Sequence, residues 1–121
     1  MICTHHRLFK LEPWLVRAVI PQGKIGVYVL YISGKPVYAG RSDEDLRSRL
    51  VAHASVKRAE YFGFGLYSDA SRAFDIECAL FHALEPCTTN LIHPASPKGS
   101  GRICVVCTEI RHLKNGPFRT T

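Results

Sequence analysis

Ile25-Gly26-Val27-Tyr28-Val29-Leu30-Tyr31-Ile32, then Ser33-Gly34-Lys35, then Pro36-Val37-Tyr38-Ala39-Gly40, is the stretch that decides the fold. The first eight residues are dense in β-branched and aromatic side chains, which suit a pleated strand. Gly34 can take positive φ at no steric cost, so 33–35 reads as a turn and 25–40 as a β-hairpin. Pro36 is tolerated because it opens the return strand. A turn centred near Ser33 places Tyr28 almost opposite Tyr38, on one face.

Working outward, Ser42 is the expected N-cap of a helix running to about Ala54. The acids Asp43, Glu44 and Asp45 suit its positive end. Asp45, Arg49 and His53 are four apart and share a stripe. Residues 60–67 (EYFGFGLY) predict a third strand, with Gly63 and Gly65 marking a bend or a close approach. A second helix is expected over roughly 70–85, ending before Pro86. Ala73, Phe74, Leu80, Phe81 and Leu84 form its apolar stripe. Asp75 and His82 fall on the opposite side, which puts His82 at the surface. Residues 86–101 read as loop, and 102–110 (RICVVCTEI) as a last strand. Upstream, Trp14, Leu15, Val16 and Val19 form a short apolar face that packs an N-terminal extension on the core.

The fold class is therefore α+β, with strands and helices in one small domain and extensions at both ends. The chain has 121 residues, 46% of them hydrophobic and 21% charged, which fits one ordinary globular domain. Its organisation is a basic N-terminal extension (1–24), a core (25–97) and a basic C-terminal extension (98–121), all in one compact unit. No run of apolar residues is long enough to span a bilayer, and no secretory signal is expected. A cytoplasmic setting follows, with the five cysteines as thiols rather than a disulfide framework.

Charge is distributed unevenly. The net charge is +6. Residues 1–24 carry four basic and one acidic residue, 25–97 seven and eight, and 98–121 five and one. The whole excess sits in the flanks, where it favours a polyanionic partner.

Glu77 is the sharpest chemical clue, because it sits in the middle of an apolar stripe. A carboxylate there is costly unless paired, protonated or metal-bound. The sequence offers two partners, a divalent cation or Arg49. Tyr28 and Tyr38 are the second clue: a phenol on a sheet can position water or phosphate, or move a proton. Taken singly, each tyrosine is more often structural.

Together these residues form an ordered set. Gly26-Val27-Tyr28 followed by Tyr38-Ala39-Gly40, then Arg49 with His53, then Glu77 on a later helix and Asn90 beyond it, resembles the GIY-YIG nuclease family over about residues 25–94. Ala39 replaces the usual Ile or Val, and Arg41 stands where many members carry Lys. One extra residue before Arg49 brings Arg47 into play as an alternative, although Arg49 shares its face with His53 and Arg47 does not.

The resemblance implies a small three-stranded antiparallel sheet flanked by helices, and a metal-dependent endonuclease that hydrolyses nucleic-acid phosphodiesters, with DNA as the first substrate and RNA the second. It implies Mg²⁺ (or Mn²⁺) held by Glu77 and waters, and Arg49 as a clamp on phosphate oxygens. Tyr28 would orient or deprotonate water, helped by His53 or Arg41. Tyr38 would hydrogen-bond phosphate or water, and Asn90 would brace the site. Arg41, Arg47, Lys57, Arg102, Arg111 and Lys114 are the expected nucleic-acid contacts. The alternatives are a non-catalytic nucleic-acid-binding module on the same fold, or a structural or partner-binding protein. A homodimer or a targeting partner is compatible with either.

Cys104-Val105-Val106-Cys107 invites a zinc reading, with His112, Cys87 and His93 as further ligands. The paired valines favour a buried strand instead, and that reading is preferred. His5 and His6 are read as solvated, and the GxG of Phe62–Gly65 opens no helix, so it is no phosphate loop.

Overall fold

The computed structural model describes residues 7–84, 93–105 and 107. The order of elements is β1 (Phe9–Lys10), α1 (Pro13–Val19), β2 (Ile25–Ile32), β3 (Lys35–Ser42), α2 (Leu46–Ser55), β4 (Tyr61–Tyr67) and α3 (Ala70–Leu84). The class is α+β, but among the described residues the antiparallel sheet has four strands rather than three, in the order β1-β4-β2-β3. The extra strand is two residues long, too short to show an alternating pattern. It pairs Phe9 with Phe62 and Lys10 with Tyr61.

Ser33 and Gly34 both have positive φ (53° and 76°). That is the requirement of a two-residue type I′ turn, whose twist matches the flanking strands. Ile32 pairs with Lys35, and a bulge between Leu30 and Tyr31 then shifts the register. Tyr28 consequently faces Gly40, and Leu30 faces Tyr38. The expected Tyr28–Tyr38 pairing is therefore off by two residues. Because the side-chain period is two, the shift keeps both tyrosines on one face.

Each sheet face has its own cover. Tyr28, Leu30 and Phe62 pack with Leu11, Val16 and Ile20 from the N-terminal segment and with Leu46, Leu50 and Ala54 of α2. The N-terminal segment is thus part of the main core. Val16, not Trp14, is its anchor: Val16 is fully buried while Trp14 is 63% exposed, against expectation. Helix α3 covers the opposite face, where Gly63 and Gly65 stand beside Val29 and Val27 with no side chain to hold it off.

Helix α2 starts later than expected. Ser42 is the last residue of β3, and its Oγ accepts from the Asp45 N–H at 3.0 Å. Asp45 is the N-cap residue, so the acids lie before the first turn rather than in it. At the other end, the Lys57 N–H donates to the Ala54 carbonyl and the Arg58 N–H to that of His53. These are the two bonds of a Schellman motif, with Lys57 at φ 51° in the position usually taken by glycine. Of the strand expected over 102–110, residues 102–105 and 107 do not form it, Val105 and Cys107 having helical backbone, and the rest lie outside the described residues.

Candidate active site

Tyr28 is fully buried, yet its hydroxyl lies 2.7 Å from Nε2 of His53 on α2. The tyrosine rings stack with centroids 6.1 Å apart at 22°. His53 leans on both, 5.3 Å from Tyr28 and 5.7 Å from Tyr38. Gly40 makes this arrangement possible, because a Cβ there would lie 2.5 Å from Tyr28 Cζ. The Tyr28 ring therefore lies across the edge strand β3, over a residue with no side chain.

Burial pushes the Tyr28 phenol well above its ordinary value, Tyr38 adds to the rise, and Arg49 pulls the other way. Tyr28 is thus a neutral phenol at pH 7, not a standing phenolate. Burial, with the charges of Arg58 and Arg49, pushes His53 down to about 4. A neutral imidazole protonated on Nδ1 presents a lone pair at Nε2 to the Tyr28 O–H.

Glu77 projects from α3 on the other face of the sheet. It is 9% exposed, as the apolar stripe predicts. Its direct partner is Arg41, not Arg49: Nη1 of Arg41 donates to Glu77 Oε1 at 2.9 Å. Arg41 also holds Asp43 through Nε (2.6 Å) and Nη2 (3.1 Å), and stacks over Phe74 at 5.3 Å. Burial raises the Glu77 carboxyl to about 7, with Arg41 opposing and Asp43 reinforcing the rise.

The two groups meet around the edge of β3. An open cleft of about 520 Å³ is lined by Arg41, Asp43, Glu44, Arg49, Glu77 and Lys98, among others. Arg49 belongs to both groups, since it lines this cleft and acts on Tyr28 and His53. Arg47 points elsewhere, donating through Nη2 to the Arg17 carbonyl on α1 at 3.0 Å. Geometry therefore joins Arg49, and not Arg47, to the tyrosines and Glu77.

Of the expected nucleic-acid contacts, Lys57 is exposed at the end of α2. Arg102 is engaged by Asp75 of α3, with Nε donating to Oδ1 at 3.1 Å and Nη2 to Oδ2. Asn90, Arg111, Lys114, Cys87, His112, His5 and His6 lie outside the described residues. Asp43 and Lys98 were not expected in the cleft. Asp43 carried a signal, being only two residues from Arg41, whereas Lys98 is brought in only by tertiary folding.

A second cluster lies near the C-terminal end of α3. His82, expected at the surface, is half-buried and meets His93, Cys104 and Cys107. The four ligand atoms lie within 4.8 Å of one another, so the group could hold a metal ion. Burial raises the Cys104 thiol, but the Cys107 N–H, His93, Cys78 and His82 outweigh it and bring it to about 6. Cys78, next to it on α3, is pushed far upward by burial and by its contact with Cys104.

No family model, curated protein or solved structure matches the chain. Among the described residues, no helix is long and apolar enough to cross a membrane.

Proposed function

We propose that this chain is a GIY-YIG-like, Mg²⁺-dependent endonuclease acting on DNA in the cytoplasm. The observation that carries the reading is the Tyr28–His53 contact at 2.7 Å, with Arg49 close by and Glu77 on the adjoining cleft. A neutral phenol donating to a neutral imidazole is a proton relay. Tyr28 takes a proton from the attacking water as its own proton passes to Nε2 of His53. No phenolate need exist beforehand, which suits the raised phenol. Arg49 steadies the charge that builds on the phosphate oxygens, and the Tyr38 ring holds Tyr28 and His53 in register.

The donors suit Mg²⁺. Glu77 and Asp43 are hard oxygen ligands on an open cleft with room for the waters this ion keeps. Glu77 would hold it, and the bound ion would neutralise charge on the leaving oxygen. Arg41 keeps Glu77 and Asp43 oriented, and its guanidinium cannot deprotonate to act as a base.

The Arg41 bridge also favours a second reading. A guanidinium between two carboxylates already compensates the buried charge of Glu77, as it would in a non-catalytic module that binds nucleic acid on the same fold. One experiment separates the two. Supercoiled, linear and branched DNA and RNA are incubated with the protein, with and without Mg²⁺. Divalent-dependent cutting that Glu77→Ala abolishes and Arg49→Ala slows steeply is the expected result. Salt-sensitive binding without cutting selects the second reading, and variants that cut like wild type overturn the mechanism.

A further inference from the structure

His82, His93, Cys104 and Cys107 come from three separate places in the chain, yet their ligand atoms all lie within 4.8 Å of one another. His82 Nε2 and His93 Nε2 are 3.2 Å apart. Cys107 Sγ is 3.3 Å from the first and 3.4 Å from the second, and Cys104 Sγ is 3.6 Å from His82 Nε2. Standard Zn–N and Zn–S bonds at tetrahedral angles give edges of about 3.3 Å between nitrogens and about 3.6 Å between nitrogen and sulfur. These four edges follow that figure within a few tenths of an ångström, and the two edges from Cys104 Sγ to His93 Nε2 and to Cys107 Sγ are no longer than 4.8 Å.

Hydrogen bonding alone does not account for this arrangement. An imidazole Nε2 has one in-plane direction for a proton or a lone pair, so it can serve one partner. His82 Nε2 has three candidate partners within 3.6 Å. A single cation at the centre satisfies all four groups at once. The surroundings are also those of a ligand set. His93 Nδ1 lies 2.8 Å from the Pro94 carbonyl, which fixes the proton there and leaves Nε2 as the lone-pair nitrogen. The Cys107 N–H donates to Cys104 Sγ at 3.3 Å, as the amide of a C-x-x-C turn does toward a thiolate.

We infer that these four side chains form a structural zinc site that fastens the segment from His93 to Cys107 onto the C-terminal half of α3. The Cys₂His₂ set is closed, with no position left for water or substrate, so its role is architectural. Ala95, Pro97 and Lys98, which line the Glu77 cleft, lie between His93 and Cys104. Zinc therefore holds one wall of the cleft against the helix that carries Glu77.

The test reads metal and structure, not DNA cutting, so it stands apart from the nuclease reading. The 121-residue chain expressed with zinc should carry about one Zn²⁺, as a closed four-ligand site requires. Cobalt exchange should give the visible absorption of a tetrahedral ion and thiolate-to-cobalt charge transfer. Cys104→Ser/Cys107→Ser should lose the metal, while Cys78→Ala, which removes a thiol outside the set, should keep it. Chelation should speed tryptic cleavage after Lys98. A metal-free protein whose cobalt titration shows no thiolate band would overturn the site, and so would a double variant that retains its zinc. The cobalt spectrum of wild type decides the matter even if the variants fail to fold.

Discussion

Replacing Gly40 by alanine tests the closest packing in the candidate site. Gly40 has no positive φ to lose, so the effect of a methyl group there is steric. The added Cβ would lie 2.5 Å from Tyr28 Cζ and 2.9 Å from Cε1, against a normal contact of about 3.5–4.0 Å. Tyr28 is fully buried, with Leu30, Leu50 and other core residues in its cluster, so the ring has little room to withdraw. Overpacking of this kind costs about 1–3 kcal/mol. Displacing the ring also breaks the 2.7 Å bond to His53, worth about 1 kcal/mol. Gly40→Ala should therefore lose about 2–4 kcal/mol, or about 8–16 °C in Tm for a domain of this size. The assay is a double-mutant cycle by urea unfolding with Tyr28→Leu, which removes the clashing Cζ and Cε1 atoms. In that background Gly40→Ala should cost close to nothing. Equal cost with and without the tyrosine ring would refute the packing argument.

The remaining predictions concern α2. His53 has a folded pKa of about 4 against an ordinary 6.5, so the unfolded chain binds more protons between those values. Its contribution is fully present above pH 6.5 and is lost as pH falls toward 4. The shift corresponds at most to about 3 kcal/mol, and to about 1–2 once solvent screening of a half-exposed ring is allowed for. The difference between wild-type and His53→Gln unfolding curves should show that slope. Taking the difference removes the contribution of Glu77, whose raised carboxyl acts with opposite sign between 4.5 and about 7. Lys57→Gly should stabilise the fold by about 0.5–1 kcal/mol in chemical denaturation, because it relieves a left-handed lysine at the C′ position. In a nuclease assay, Arg49→Ala should lower the cutting rate about 10²–10³-fold, whereas Arg47→Ala should leave it near wild type and lower Tm.

Much of this could be read from local pattern. The hairpin, β4 and α3 were legible because strand and helix periods are short-range signals. Glu77 was legible because a carboxylate inside an apolar stripe breaks such a pattern. Register was less so: placing Tyr28 opposite Tyr38 failed because the turn takes two residues and a bulge follows, and neither leaves a mark in hydrophobic alternation. The partner of Glu77 could not be read either. Arg41 and Arg49 are both cations near the right place, and only the alternation of β3 against its two neighbouring layers assigns Arg41 to the α3 side. The Val-Val filling of Cys104–Cys107 pointed to a strand, since a metal-binding turn can carry the same residues. His82 looked like a surface residue because helical position alone does not reveal what a distant segment lays over it.

Strand β3 begins with Lys35 and Pro36, is bulged across from Tyr31, and ends where Arg41 and Ser42 enter the cleft. Pro36 has no N–H to offer a neighbouring strand, and a charged, kinked border is a poor template for one. Any strand laid along the far end would cover Arg41 and Ser42, which line the cleft. Growth of the sheet past β3 and access to the cleft are therefore mutually exclusive, so the boundary of the sheet is also the doorway of the site.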